Sequence, residues 1–427
     1  MSSRFKWTVV GSSACVVAFL LLGTSNSRAV PTDDVYGHLR VYTQVLERIK
    51  TDYVEKPNMS NVTLGAINGL LESVDPFASY LNPDQFREYE KKHGHAKGDV
   101  GLILAKRYGY VAVVDALPGS PAADANISTG DLIDSIKGVE TRDMPLAYAN
   151  ELLDGPPNSS IEFTVLRLKN PNPQKITLKR VQISFPPVTA RMMPGNVGYV
   201  DVASLAGKRV AETKSKIEGL KKHGAKYLVL DLRHCATGSQ PNGIPLANLF
   251  LNKGEITYLQ GQKYSRQQSD ARSGKQVWSG PLVAIVDRGT AGGAEIAAAA
   301  LLDNKRAQVV GERTYGDAAL RKVIEMNDGS AVILSVAKYY APDGKAIQDT
   351  GVTPSVQLVE NDNSPDYDEN GNPIPGSAPK NPQDNLLKQA VDLVTGKTTI
   401  AELRNEVNGP IVTAPPPIIQ ANPTGAH

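Results

Sequence analysis

Three short, mostly apolar runs constrain this chain most: Tyr227–Leu232, Leu282–Val286 and Val332–Ala337. At that length, and bounded by polar segments, each reads as a strand buried on both faces. The stretches between them carry helical spacing instead. Over Gly207–His223, Val210, Ile217 and Leu220 fall on one face, and Gly224 supplies a favourable C-cap. Residues 186–357 therefore read as an α/β unit.

The flanking regions follow other periods. Residues 34–95 read as helical, with Tyr36, Leu39, Tyr42, Val45, Leu46 and Ile49 recurring at three and four. A second helix is expected over Val62–Val74, ended by Asp75-Pro76, because the residue before proline disfavours helical backbone. This region reads as a packing module. Residues 96–184 alternate β runs with turns (Val111–Val114, Leu132–Ile136, Ile161–Leu166, Lys175–Leu178), with a helix from Pro145 to Leu153, and predict a small β-rich domain. Residues 361–381 are rich in Asn, Asp, Pro and Gly and predict a solvated linker. One helix is expected at Gln383–Val394, and Pro415-Pro416-Pro417 mark a disordered or polyproline tail, so that 361–427 is linker, short helix and tail. The fold class is multidomain α+β.

Composition narrows the function classes. The 427 residues are 41% apolar and 21% charged with a formal charge of +2, ordinary for a soluble protein. No basic stripe interleaves with aromatics, which excludes a nucleic-acid surface. At the N-terminus, Arg4 and Lys6 precede an uncharged run from Trp7 to Ser27 with its apolar heart at Val16–Leu22, followed by small residues near Ala29. That is the pattern of a secretory signal over 1–29, and the run is also just long enough for a retained membrane anchor; both readings stand. Removal of 1–29 takes away Arg4, Lys6 and Arg28 and turns +2 into −1. It leaves Cys235 alone, so no internal disulfide is possible. Export without disulfides suits a bacterial periplasm or cell envelope, with the membrane met only through this N-terminal segment, anchored in the inner membrane if the anchor is kept.

Several short runs, in order, carry a family resemblance. They are Leu71-Glu72-Ser73-Val74-Asp75-Pro76, Gly119-Ser120-Pro121-Ala122-Ala123, Gly130-Asp131-Leu132-Ile133, Val197-Gly198-Tyr199-Val200, Leu230-Asp231-Leu232-Arg233, Val310-Gly311-Glu312 and Ala337-Lys338-Tyr339-Tyr340-Ala341-Pro342. Together they resemble the carboxyl-terminal processing peptidases, or tail-specific proteases, over residues 34–357. The resemblance implies a PDZ domain at 96–184 and a ClpP/crotonase-like serine-peptidase core at 186–360. It also implies partners: peptide or protein C-termini added as a strand to a sheet edge, with the terminal carboxylate held by backbone N–H groups. Gly101, Leu102 and Ile103 fall where that loop belongs, and Leu146 and Leu153 are candidate pocket residues. These apolar residues equally suit the domain's own core.

At the positions that would carry catalysis the residues differ. The family's nucleophile is a serine in a G-S-A-S-A-S-E-I-like run; its base is a lysine in an F-G-K-G-x-V-Q-like run, oriented by the glutamine. Here Gly289-Thr290-Ala291-Gly292-Gly293-Ala294-Glu295-Ile296 puts Gly292 at the nucleophile. Thr314-Tyr315-Gly316-Asp317-Ala318-Ala319-Leu320-Arg321 puts Asp317 at the base and Arg321 at its orienter. The oxyanion turn reads His234-Cys235-Ala236-Thr237-Gly238, with Thr237 and Gly238 at the expected positions. Glycine has no side chain to attack with, and losing nucleophile and base together removes orders of magnitude in rate. The expectation is a homologue without peptidase activity that binds C-termini as adaptor, decoy or partner of an active peptidase. The alternatives are a working endopeptidase with a rearranged site, using Thr290 or a Cys235–His234 pair, and a structural subunit of an envelope assembly. An exposed Asp317–Arg321 ion pair worth less than about 1 kcal/mol is also expected. Neither a cofactor nor a metal is implied, the six histidines being scattered.

Overall fold

The computed structural model describes residues 35–92, 98–107, 109–142, 144–167, 170–358 and 384–407, with Ile374 and Ser377. The leader at 1–29 and the proline-rich end lie outside them, as does the linker at 361–381 apart from those two residues. The chain divides into two units, Met1–Leu64 and Gly65–His427.

In the first unit, spacing at three and four gives α1 (Val35–Asp52), whose last turn holds an Arg48–Asp52 ion pair at 3.0 Å. Leu39, Tyr42 and Val45 remain exposed, so the packing role expected of this apolar face is not met within the unit. The second helix, α2 (Met59–Glu72), stops ahead of Asp75-Pro76.

Asp75 ties this turn to a distant strand. Its Oδ1 accepts from the Phe77 N–H at 2.9 Å and its Oδ2 from the Ser335 N–H at 3.1 Å. The next residues form β1 (Ser79–Leu81), paired antiparallel with Ala331–Tyr340, before α3 (Pro83–Lys92). A wholly helical segment over 34–95 is thus corrected: three residues pair with a strand more than 200 positions away, which no local period reveals.

The β-rich domain comprises β2 (Leu102–Arg107), β3 (Tyr110–Ala116), the single turn α4 (Pro121–Asp124), β4 (Leu132–Ile136), β5 (Val139–Glu140), α5 (Leu146–Leu153), β6 (Ser160–Arg167) and β7 (Asn170–Lys179). The antiparallel sheet runs β2-β3-β4-β6-β7, with β5 on β4. Ser120 begins α4 properly, its hydroxyl accepting from the Ala123 N–H with Pro121 at the first position. The domain core gathers Val100, Leu104, Ile133, Leu153 and Phe163, and also takes in Ala291 from the next region.

That region contributes β8 (Thr189–Met193), β9 (Val197–Asp201), α6 (Arg209–Lys222), β10 (Tyr227–Asp231), α7 (Gly243–Asn248), β11 (Glu255–Gly261), β12 (Tyr264–Asp270), β13 (Leu282–Val286), α8 (Gly293–Asp303), β14 (Gln308–Gly311), β15 (Ala319–Glu325), β16 (Ala331–Tyr340) and β17 (Val356–Gln357). The main sheet runs β17-β14-β13-β10-β9-β8 and is parallel except at the β8 edge. Strands β9, β10 and β13 are buried on both faces, as continuous apolar runs require. Leu228, Leu230, Ala284 and Val286 pack with α8 on one side. Val229, Val283 and Ile285 face α9 (Asn385–Val394) and α10 (Ile400–Val407) on the other.

Two expectations change here. Val332–Ala337 belongs not to the parallel sheet but to a second, antiparallel one, ordered β1-β16-β11-β12 with β15 on β16. And α10 occupies part of the stretch expected as a disordered tail, because Leu403, only 2% exposed, closes the apolar face of the sheet. Truncating Leu387, which packs in the same cluster, tests this cover. Leu387→Ala is expected to lower unfolding free energy by about 2–4 kcal/mol in urea titration. An unchanged midpoint would mean that α9 contributes nothing to the core.

Candidate functional site

The C-terminal edge of the parallel sheet, where β10 and β13 end, carries the loops of interest. Gly292 is the N-cap of α8 with φ 64° and ψ −121°, a backbone region that side chains rarely adopt. Three residues on, Glu295 is fully buried. Its Oε2 accepts from the Gly292 N–H at 3.0 Å and the Asp317 N–H at 2.8 Å. Its Oε1 accepts from the Gly316 N–H at 2.7 Å and from the Thr314 hydroxyl. One carboxyl group therefore joins the helix start to the 314–317 loop. Burial raises its pKa from 4.5 to about 7 and the Asp317 charge adds to the rise, while the Thr314 hydroxyl and the N–H groups of Asp317 and Gly316 oppose it.

Gly292 and Asp317 stand side by side. A Cβ built on Gly292 would lie 3.6 Å from the Asp317 carbonyl oxygen and 4.0 Å from Gln240 Cγ, so there is room for a side chain and none is present. The Asp317 carboxylate instead pairs with Arg321, whose guanidinium lies 4.1 Å above the Phe77 ring. With these side chains 18% and 22% exposed, the pair is mostly enclosed rather than exposed as expected. Phe77 meets Tyr315 edge-on at 5.9 Å, and Arg107 covers the other ring at 4.9 Å. These contacts hold β2, the 314–317 loop and the Phe77 turn together.

The other candidate nucleophiles are engaged elsewhere. Thr290 is fully buried; its Oγ1 accepts from the Asp287 N–H at 3.0 Å and lies 2.9 Å from the Leu232 carbonyl and 2.8 Å from Asp287 Oδ1, both acceptors for its single proton. Cys235 is 1% exposed, and burial pushes its thiol pKa well above the ordinary value. His234 is not part of an extended run, since its φ is 55°; its Nδ1 lies 3.0 Å from Asp115 Oδ1. At the oxyanion turn, the Thr237 carbonyl accepts from the Leu205 N–H at 2.9 Å. Gly238, at φ 109°, lies so close to that segment that a Cβ would sit 2.6 Å from the Leu205 carbonyl carbon.

On the β-rich domain, Gly101 has φ 84° and a Cβ there would come within 2.2 Å of Ser120 Cβ, so only glycine fits. Leu102, Leu146 and Leu153 are buried and Ile103 is half-buried. A cleft of about 300 Å³ opens between α5 and the neighbouring elements, lined among others by Leu104, Leu146, Asn150, Phe77, Ile333, Asp317 and Arg321. Of the five residues expected to bind peptide, Leu146 alone lines it; Leu153 is 1% exposed and serves the core. Reasoning from sequence missed Phe77 and Leu104 as cleft residues and Glu295 as the tie. Glutamate at the third position of a helix, where it reaches back to the cap, is the signal that would have shown the last.

Comparison with known proteins agrees with this geometry. Residues 196–358 match peptidase family S41 and residues 113–167 match the PDZ domain. The carboxyl-terminal-processing protease of Synechocystis sp. is 31% identical over 84% of this chain and 83% of its own length. The chain belongs to the carboxyl-terminal processing proteases. A second relative, the carboxy-terminal-processing protease of Bartonella bacilliformis, is 28% identical over 82% of this chain and 80% of its own. Among solved structures, a photosystem II D1 C-terminal processing protease superposes with a TM-score of 0.62 at 28% identity, covering 75% of this chain and 92% of that one.

The sign of the Glu295 shift sets a pH test. Its folded pKa lies above the unfolded one, so its contribution to stability is full below pH 4.5 and is lost as pH rises through 7. Wild-type protein is expected to lose stability between about pH 4.5 and pH 7. Glu295→Gln, which cannot titrate and turns an amide donor towards N–H groups, is expected to flatten that slope and to cost about 2–4 kcal/mol at pH 6. An unaltered slope would show that Glu295 does not titrate here.

Proposed function

We propose that this chain is an exported processing-protease homologue that does not cleave peptides and binds peptide or protein C-termini through its PDZ domain. The observation that carries this reading is Gly292. It occupies the helix start opposite Asp317 with open space where a side chain would stand. Supporting it, Asp317, at the position the resemblance assigns to the base, is paired with Arg321. Thr290 directs its hydroxyl into the loop, and Cys235 is enclosed. The Gly101 loop and the cleft beside Leu104 and Leu146 fit a binding role. Partners of this kind include an active peptidase or an envelope complex presenting an apolar C-terminus.

The test is incubation of the chain with an unfolded protein ending in apolar residues, followed by mass spectrometry and a parallel binding titration. Binding with intact substrate is the expected result. Fragments abolished by Thr290→Ala would overturn the reading and identify the nucleophile. A complementary variant combines Gly292→Ser, Asp317→Lys and Arg321→Gln. The serine is expected to cost about 1–3 kcal/mol, because of the positive φ at 292, and turnover is expected to appear in the triple variant only.

A further inference from the structure

Outside the cleft, one cluster of titratable groups joins the PDZ domain to the protease core. Asp115, on β3 of the PDZ sheet, has a side chain only 3% exposed. It faces His234, which follows β10, and Asp287, which follows β13. His234 Nδ1 lies 3.0 Å from Asp115 Oδ1 and 3.4 Å from Asp287 Oδ2, while the His234 N–H donates to Asp287 Oδ1 at 3.1 Å. The approach leaves no spare room: a Cβ on Gly289 would come within 3.2 Å of both Asp115 and His234. Asp115 Oδ2 is buried without a hydrogen-bond partner. Cys235 adjoins the cluster, and Asp201 and Asp231 act from behind it, Asp231 being held by Arg233 at 2.6 Å. One imidazole therefore stands between two buried carboxylates contributed by different domains.

We propose that the Asp115–His234–Asp287 cluster is a proton-dependent latch that holds the PDZ domain on the core and sets the width of the cleft they share. Leu104 and Leu146 of the PDZ domain line that cleft of about 300 Å³ together with Asp317, Arg321 and Ile333 of the core. A C-terminal peptide enters it more readily when the two parts separate. Protonating Asp115 removes repulsion across the contact, where its carboxylate otherwise faces that of Asp287 in a buried place. Burial raises Asp115 from 3.8 to about 6, with Asp287 adding to the rise and His234 opposing it. A group whose value is higher when docked favours the docked form in acid, and that preference disappears as pH rises through about 6. The latch itself does not depend on peptide binding; its role in access rests on the proposed function.

The experiment uses the full chain carrying Cys15→Ser, spin-labelled at Lys175→Cys on the PDZ domain and Lys214→Cys on the core, both exposed positions. Distances between labels are measured from pH 4 to pH 8, alongside titration with a peptide ending in apolar residues. The docked-to-undocked ratio is expected to fall about a hundredfold between pH 4 and pH 7, with peptide affinity rising in step. Asp115→Asn is expected to abolish the pH dependence. His234→Asn, which suits the positive φ at a half-exposed position, is expected to lower the docked population in acid and serves if the first variant does not fold. Distances that do not change with pH, or a wild-type pH response in D115N, would overturn the latch even where peptide binds. A pH-dependent distance without peptide binding would support the latch and remove the peptide reading.

Discussion

The Glu295 carboxyl group is the contact on which the rest of this site depends. It is fully buried, and it receives backbone donors from the helix start at Gly292 and from Gly316 and Asp317 in the following loop. A buried polar network is stable only when its members are satisfied. Here one side chain satisfies three backbone groups and a hydroxyl, and the two loops cannot drift apart without stranding them. The geometry of the site therefore rests on a side chain that is not itself one of positions 292, 317 and 321.

The PDZ domain is not simply tethered beside this scaffold. Ala291 belongs to its apolar core, Ala236 and Tyr315 pack against it, and the Arg107–Tyr315–Phe77–Arg321 stack extends the contact. Arg321 is thus exchanged from an orienting role, implied by family resemblance, into a packing and charge-pairing one. The cationic face over Phe77 and the carboxylate of Asp317 stabilise it where a lysine–glutamine pair would otherwise stand. The charge cluster at Asp115, His234 and Asp287 lies on the same domain contact and makes it sensitive to protons, so shape and charge act together.

Much of the architecture was legible from residues alone. Short apolar runs gave β10 and β13, spacing at three and four gave α1 and α6, and alternating runs gave the PDZ strands close to their observed limits. The residues at 292, 317 and 321 were legible too, their places set by the resemblance through Gly289 and Glu295-Ile296 on one run and Gly316 on the other. Less visible were β1, which exists only because a distant strand offers an edge, and α10, which is stabilised by Leu403 against the sheet. The apolar residues expected to line a peptide pocket divided between core and cleft, since burial of Leu153 and exposure of Leu104 to the cleft depend on what packs over α5.

By itself, the sequence determined the family, the order of domains and the residue identities at 292, 317 and 321, since each rests on residue identity or on local periodicity. Only the tertiary structure decided that Thr290 and Cys235 are spent on the fold, that the Asp317–Arg321 pair is enclosed, and that His234 meets a PDZ carboxylate 119 positions earlier. The reason is physical: hydrogen-bond commitment, burial and charge proximity are properties of neighbours in space, and a chain brings together residues that no local spacing relates.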